Sequence, residues 1–408
     1  MRFLLFALTA LPITALANDV VSERLDRAVD FLEARFKSDP QDFIAANRLF
    51  DALLRRSRWT GRLDDLRRAS EVAEASSKAA PADFNPGGLA AKAQCALAGH
   101  RFDEARNVAR QLESLMPGKP LPWQILGDAS LEIGDLDEAA KAFDQLAELT
   151  GPSVGTEARV ARLAWMRGKL DEWQEHLEEA LNLARQTGDA ETIAWVLVQC
   201  GESAFRRGDF TNAEKHYEEA LKWAPAYWSA LEHMAELRGA QGRDEEAVAI
   251  FTKAAEQTER PEMWQALGDL HLFKRRTDEA KSAHDRALAG YQASIDRGET
   301  LYVHHLAGFY SDSQENGQEA VKWARRDLET RKGANAWDTL AWALSKSGDS
   351  AGALEAARKA IGTGLADPHV LQHAGLIFLG AGEVPEGQRL LKRCAEINPH
   401  FAGFHVHR

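Results

Sequence analysis

The chain has 408 residues and a formal net charge of −12, with 62 acidic against 50 basic side chains. That balance argues against nucleic acid as a partner, because affinity for it rests on cationic contacts to phosphate, and against a polybasic membrane-binding surface. Three cysteines, Cys95, Cys200 and Cys394, are too few for a disulfide framework. They fall in helices far apart along the chain and are expected to act as small buried hydrophobes.

Residues 1–17 carry Arg2, an apolar run from Phe3 to Ala10, Pro12 and the small-x-small site Ala15-Leu16-Ala17. This pattern predicts a secretory signal peptide cut before Asn18, with an uncleaved anchor as the alternative. No Cys follows the cut, so lipid anchoring there is not expected. No later run approaches the ~18 apolar residues of a membrane span. The chain is therefore expected to be exported, to a periplasm or to the medium. Residues 18–81 read as N-terminal capping helices with a degenerate repeat. Leu25, Val29, Leu32 and Phe36 share one face of the first helix, and helices follow over about 42–57 and 63–79. Pro81 to Gly88 is a loop.

A regular pattern then runs over 89–399. Gly208, Ala213, Tyr217 and Ala220 recur thirty-four residues on as Gly242, Ala247, Phe251 and Ala254. Small, ring and small residues at these spacings fall on one helical face and leave room for a neighbouring helix. Trp123, Leu126, Gly127, Gly134, Ala139 and Phe143 mark another unit. Trp264, Leu267, Gly268, Ala280 and Ala287 mark a third, with His284 at the ring site. Trp337, Leu340, Ala341, Gly348, Ala353 and Ala360 mark a fourth. The unit at Ala307 has a longer connection, Ser311 to Gln318. In the last, Gly387 takes a small site inside a helix, where Gly costs about 1 kcal/mol against Ala and predicts fraying.

A period near 34 with this pattern resembles the tetratricopeptide repeat, two antiparallel helices per unit. Leu126-Gly127-Asp128, Asp338-Thr339-Leu340-Ala341-Trp342 and Asn398-Pro399-His400-Phe401 look like stretches of a group of bacterial, exported tetratricopeptide-repeat proteins. The resemblance implies an all-α solenoid, a right-handed superhelix of about nine to ten helix-turn-helix repeats. It brings no activity with it, so it speaks to architecture and not to chemistry.

Motifs for catalysis are weak. Gly348-Asp349-Ser350-Ala351-Gly352 matches G-x-S-x-G, but a nucleophile elbow needs a strand before it, and here two helices flank it. Arg207-Gly208-Asp209 is an inter-helix turn. No P-loop, H-E-x-x-H or EF-hand motif is present, and no enzyme activity, cofactor or metal ligand set is expected. Glu178-Glu179, Glu218-Glu219 and Glu245-Glu246 read as solvated faces. Histidines crowd the end of the chain: His304, His305, His369, His373, His400, His405 and His407. In the short tail 400–408, i, i+2 spacing lacks the enforced geometry of a metal site, and His373 reads as a buried, satisfied residue. Metal-ion handling through His400, His405 and His407 is the alternative function.

The resemblance also implies that one stripe of each first helix lies on the concave face. It carries Asp128, Arg162, Glu202, Glu236, Asp269, Gly308, Trp342 and Leu376, flanked by Trp165, Phe205, Glu232 and Asp338. The expected partner-binding residues are Asp128, Trp165, Glu202, Phe205, Glu232, Glu236, Asp269, Asp338 and Trp342. An acidic groove with aromatic patches suits a basic, partly apolar protein segment or extended peptide by charge complementarity. The function expected is a non-enzymatic exported scaffold, with envelope assembly as its setting.

Overall fold

Small residues and rings meet face to face and set how closely two helices pair. A methyl group on Gly201 would stand 2.2 Å from the ring of Tyr217, and one on Gly127 would stand 2.2 Å from Phe143. His284 fills the ring position over Gly268 at the same 2.2 Å. Ala213, Tyr217, Ala220, Ala247, Phe251 and Ala254 are all fully buried. The turn between the two helices repeats a Gly-Asp pair. Gly208 and Gly348 adopt left-handed backbone (φ 74° and 89°), which ends the first helix. Asp209 and Asp349 then cap the second, accepting from the backbone N–H of Asn212 (3.1 Å) and Gly352 (2.9 Å).

The computed structural model describes the backbone of residues 13–405 and side chains from residue 21 on. Helix α1 (Ile13–Ser38) precedes ten helix pairs. They are α2–α3 (Phe43–Thr60, Leu63–Ala79), α4–α5 (Pro86–Ala98, Phe102–Leu115), α6–α7 (Pro120–Ile133, Leu136–Thr150) and α8–α9 (Val154–Met166, Leu170–Thr187). Then come α10–α11 (Ala190–Arg206, Phe210–Trp223), α12–α13 (Trp228–Ala240, Asp244–Thr258) and α14–α15 (Pro261–Phe273, Thr277–Asp296). The last three are α16–α17 (Val303–Gly308, Gly317–Asp327), α18–α19 (Ala334–Ser347, Ser350–Gly362) and α20–α21 (Pro368–Gly380, Val384–Ile397). The described residues contain no strand, and none of their helices is long and apolar enough to cross a membrane. The fold is an α-solenoid. The expected signal peptide lies mostly outside the described residues, as does His407. All three cysteines are buried.

Three local expectations change. The connection after α16 is not a loop throughout: Phe309–Ser313 form a π-helical turn, closed by the Gln314 N–H donating to the Phe309 carbonyl at 3.0 Å. Helix α21 runs unbroken through Gly387. The glycine serves close approach there, since a methyl group would meet the Gly375 carbonyl and the Leu379 side chain at 2.8 Å. The tail is packed over its described part, through His405: Phe404 is 1% exposed and lies among Ala235, Leu267 and Leu270.

The superhelix winds tightly enough for its second turn to rest on its first. Trp228 Nε1 donates to the Arg58 carbonyl at 3.0 Å and Arg260 Nε to the Gly61 carbonyl at 2.9 Å. The Lys332 N–H donates to the Ile133 carbonyl at 2.9 Å. Asn398 Nδ2 donates to the Phe205 carbonyl at 3.3 Å, and Thr300 Oγ1 to the Gly99 carbonyl. These side-chain contacts span 170, 199, 193 and 201 residues. At about 34 residues per repeat, the longer ones correspond to roughly six repeats per superhelical turn. Each joins the end of a first helix, or the helix–helix turn after it, to the start of a later pair or the loop before it, except that Asn398 follows the last pair.

Turn glycines make this contact possible. A methyl group on Gly168 would stand 2.2 Å from the Gly364 carbonyl, and one on Gly134 would stand 2.7 Å from the Gly333 nitrogen. Gly208, inside Arg207-Gly208-Asp209, faces Asn398 and Pro399. In the later pairs the equivalent Gly348 has nothing within 4 Å. This contrast yields a test. Gly348→Ala carries only the strain of left-handed backbone, about 1–2 kcal/mol. Gly168→Ala adds a clash with the second turn and is expected to cost about 1–3 kcal/mol more. Urea unfolding of the two variants measures the difference; equal losses would show that the turns do not touch there.

Candidate functional site

First helices of successive pairs touch one another, α10 with α12 and α18 with α20. Because the second turn rests on the first, α10 and α12 also face α18 and α20. Between them lies a cavity of about 370 Å³. Helix α10 supplies Glu202, Phe205 and Arg206, and α12 supplies His233 and Glu236. From the second turn come Asp338 and Trp342 of α18, His369 and His373 of α20, and tail residues His400 to His405.

Arg206 ties the turns together. It holds Glu202 at 2.9 Å on its own helix and Asp367, the cap of α20, at 2.5 Å across the gap. Its guanidinium also lies 5.0 Å over the Trp165 ring. Burial disfavours its charge, but Asp367 and Glu202 outweigh that and hold it protonated. A second bridge runs from Arg331 to Glu132 at 3.4 Å.

Five of the nine residues expected on the concave face line the cavity: Glu202, Phe205, Glu236, Asp338 and Trp342. The other four sit elsewhere. Asp128 is gripped by Arg159 through two 2.8 Å bonds. Trp165 packs on Trp173, ring centres 5.8 Å apart. Asp269 is structural: it meets His284 Nε2 at 2.8 Å and accepts from Ser313 Oγ at 2.7 Å, tying α14, α15 and the π-helical turn together. Glu232 lies beside His233 on α12, its carboxyl pushed up to about 7 by burial. The stripe is thus less acidic than its letters suggest, because cations answer several of its carboxylates.

Histidine is the residue type that the sequence reading left unassembled. His233, His304, His305, His369, His373, His400 and His405 all line this one cavity, seven of the chain's thirteen. Two of them join a carboxylate. Ligand atoms of Asp338, His369 and His373 lie within 4.8 Å of one another, and His373 Nδ1 is 3.0 Å from Asp338 Oδ2. The Trp342 ring stacks on His373, 4.0 Å between centres and 6° from parallel. Trp342 Nε1 is itself held by Asp312 at 2.8 Å. Burial holds the His373 imidazole neutral, its pKa down at about 3, and pushes Asp338 up to about 7. The one sequence signal was the density of histidines after residue 300.

Comparison with known proteins gives the repeat class. Three tetratricopeptide-repeat family models match, over residues 90–154, 153–226 and 204–270. Tetratricopeptide repeats build residues 90–270. The later pairs continue the same packing, as in Gly268 against His284 and Gly375 against Leu391. No curated protein matches the sequence. Among solved structures, the human IFIT1 dimer with PPP-AAAA is similar, with 11% identity, a TM-score of 0.49, and 95% of this chain and 92% of that one covered. A monomeric mutant of IFIT1 with m7Gppp-AAAA gives 11%, 0.48, 92% and 95%. Tetratricopeptide repeats are protein-binding scaffolds in general.

The inner surface also sets a pH dependence. Burial works against the charge on His233, but Glu236 at 3.8 Å, Glu232 and Glu202 raise its pKa to about 9. The Tyr217 ring stacks on it from α11. Glu232, facing His233, Glu262, Glu236 and Arg260, is raised to about 7 chiefly by burial. Both groups hold a proton more tightly folded than unfolded. The Glu232 contribution is full below its ordinary 4.5 and is lost as pH rises through about 7; that of His233 is full below 6.5 and is lost through about 9. His100 and His373, pushed down to about 4 and about 3 by burial, oppose this on the acid side. The melting midpoint should therefore fall between about pH 6 and pH 9, and His233→Gln should flatten the upper part of that fall. A wild-type midpoint that holds or rises over this range would contradict it.

Proposed function

We propose that the chain is a non-enzymatic, exported scaffold that takes up a short segment of a protein partner inside its superhelix. The observation that carries this reading is the cavity between the two turns, where Glu202, Phe205, Glu236, Asp338 and Trp342 converge. Its volume, about 370 Å³, suits a chain end or a loop tip of a few side chains, not a long helix laid along an open groove. Its rings offer apolar contact and its carboxylates favour a segment with basic character. The acidic balance of the whole chain supports a protein partner over nucleic acid. Gly348-Asp349-Ser350 lends no support to hydrolysis: Asp349 caps α19 and Ser350 is its first residue, with no strand among the described residues to form an elbow.

Photo-crosslinking tests the binding face. A benzophenone amino acid at Phe205 should capture a discrete partner in the native cell, and the same group at exposed Lys281 on α15 should not. Identical capture from both positions, or none from Phe205, would reject the cavity as the binding face. Export is tested separately: the mature protein should begin at Asn18 and leave the cytoplasm, and an intact Met1 terminus in a cytoplasmic fraction would refute it.

A further inference from the structure

We propose that Asp338, His369 and His373 form a binding site for a divalent transition-metal ion of Zn²⁺ type, with one coordination position open to the cavity. The site shares Asp338 and Trp342 with the cavity of the partner reading above, but it is argued from ligand geometry and its test needs no partner.

Three features carry it. First is spacing. His369 and His373 stand four apart on α20 and so share one face, and Asp338 comes from the adjacent first helix, α18. All three ligand atoms lie within 4.8 Å of one another. A metal with ligands at about 2.0–2.1 Å needs neighbouring ligand atoms about 3.0–3.4 Å apart. The Asp338 Oδ2 to His373 Nδ1 separation of 3.0 Å is already that edge, and the ligand atom of His369 lies within 4.8 Å of both.

Second is pre-organisation. Trp342 stacks on one face of His373, while His369 meets it nearly edge-on, 4.1 Å between ring centres and 72° between planes. Trp342 is held in turn by Asp312. Packing of this kind around ligating imidazoles fixes their orientation. Third is donor chemistry. Two imidazole nitrogens and one carboxylate oxygen suit Zn²⁺ and its neighbours rather than Ca²⁺ or Mg²⁺, which favour all-oxygen shells. Three protein ligands leave a fourth position, and here all three residues line the cavity. His405, its ring 5.7 Å from that of His369, borders the same space.

The full chain, stripped with chelator, should take up one Zn²⁺ per molecule in calorimetric titration. His369→Gln replaces a partly exposed ligand and should weaken uptake by about 100-fold or more, beyond the loss typical of changes outside the metal's own shell. His216→Ala, on α11 and outside the cavity lining, should leave it unchanged. Asp338 and His373 are buried, so their replacement also disturbs packing. X-ray absorption on the Zn²⁺-loaded wild type avoids that and should show at least two imidazoles at about 2.0 Å. The proposal is overturned by no stoichiometric uptake, by uptake indifferent to His369→Gln, by an equal loss in His216→Ala, or by a shell without imidazole.

Discussion

Backbone contact between successive superhelical turns is the constraint on which the interior depends. It is made where one turn presents no side chain at all. Gly168 against Gly364 and Gly134 against Gly333 place main chain on main chain, and hydrogen bonds such as Lys332 to Ile133 satisfy the polar groups that this contact covers. Glycine does two things at these turns. Its left-handed backbone ends the first helix, and its missing Cβ lets the next turn approach. Where no second turn arrives, as at Gly348, only the first need remains. The tight packing of glycine against a ring inside several pairs, as in Gly201 and Tyr217, sets the helix spacing on which that pitch builds.

Closing the superhelix changes the electrostatics of its inner face. In an open groove, Glu202, Asp367 and Glu132 would be solvated carboxylates of modest influence. Enclosed between turns, they are met by Arg206, Arg331 and Arg162. Carboxylates with weaker cationic support move upward instead, as Asp312, Asp338 and Glu232 do, each to about 7 by burial. The same enclosure makes one imidazole cationic and another neutral. His233 sits among three glutamates, while His373 is pressed between Trp342 and His369.

Most of the fold was legible because its determinants are local. The Gly-Asp turns, the small–ring–small face at Ala213, Tyr217 and Ala220, and the thirty-four-residue echo lie within one or two repeats and correspond to contacts found there. Glu202, Phe205, Glu236, Asp338 and Trp342 were legible as concave residues for the same reason. Their convergence was not. Which residue of α10 faces which residue of α20 depends on superhelical pitch, which adds small rotations over five repeats and leaves no periodic mark. Hence Asp128 and Asp269 looked equivalent to Glu202, yet Arg159 claims one and His284 the other. The histidines were visible as a count and invisible as a cluster. The tail misled for a related reason: nothing near Phe404 in sequence indicates that α12 and α14 will receive it.

The central claim, that the second turn rests on the first, is tested most directly at one amide. Lys332 lies in the loop between α17 and α18, and no element of its own repeat receives its N–H; the acceptor is Ile133, at the end of α6. Hydrogen exchange at Lys332 in the full chain should be slowed to a rate comparable with helical amides. Exchange at the intrinsic rate of an exposed loop would mean that the turns stand apart, and with them the cavity.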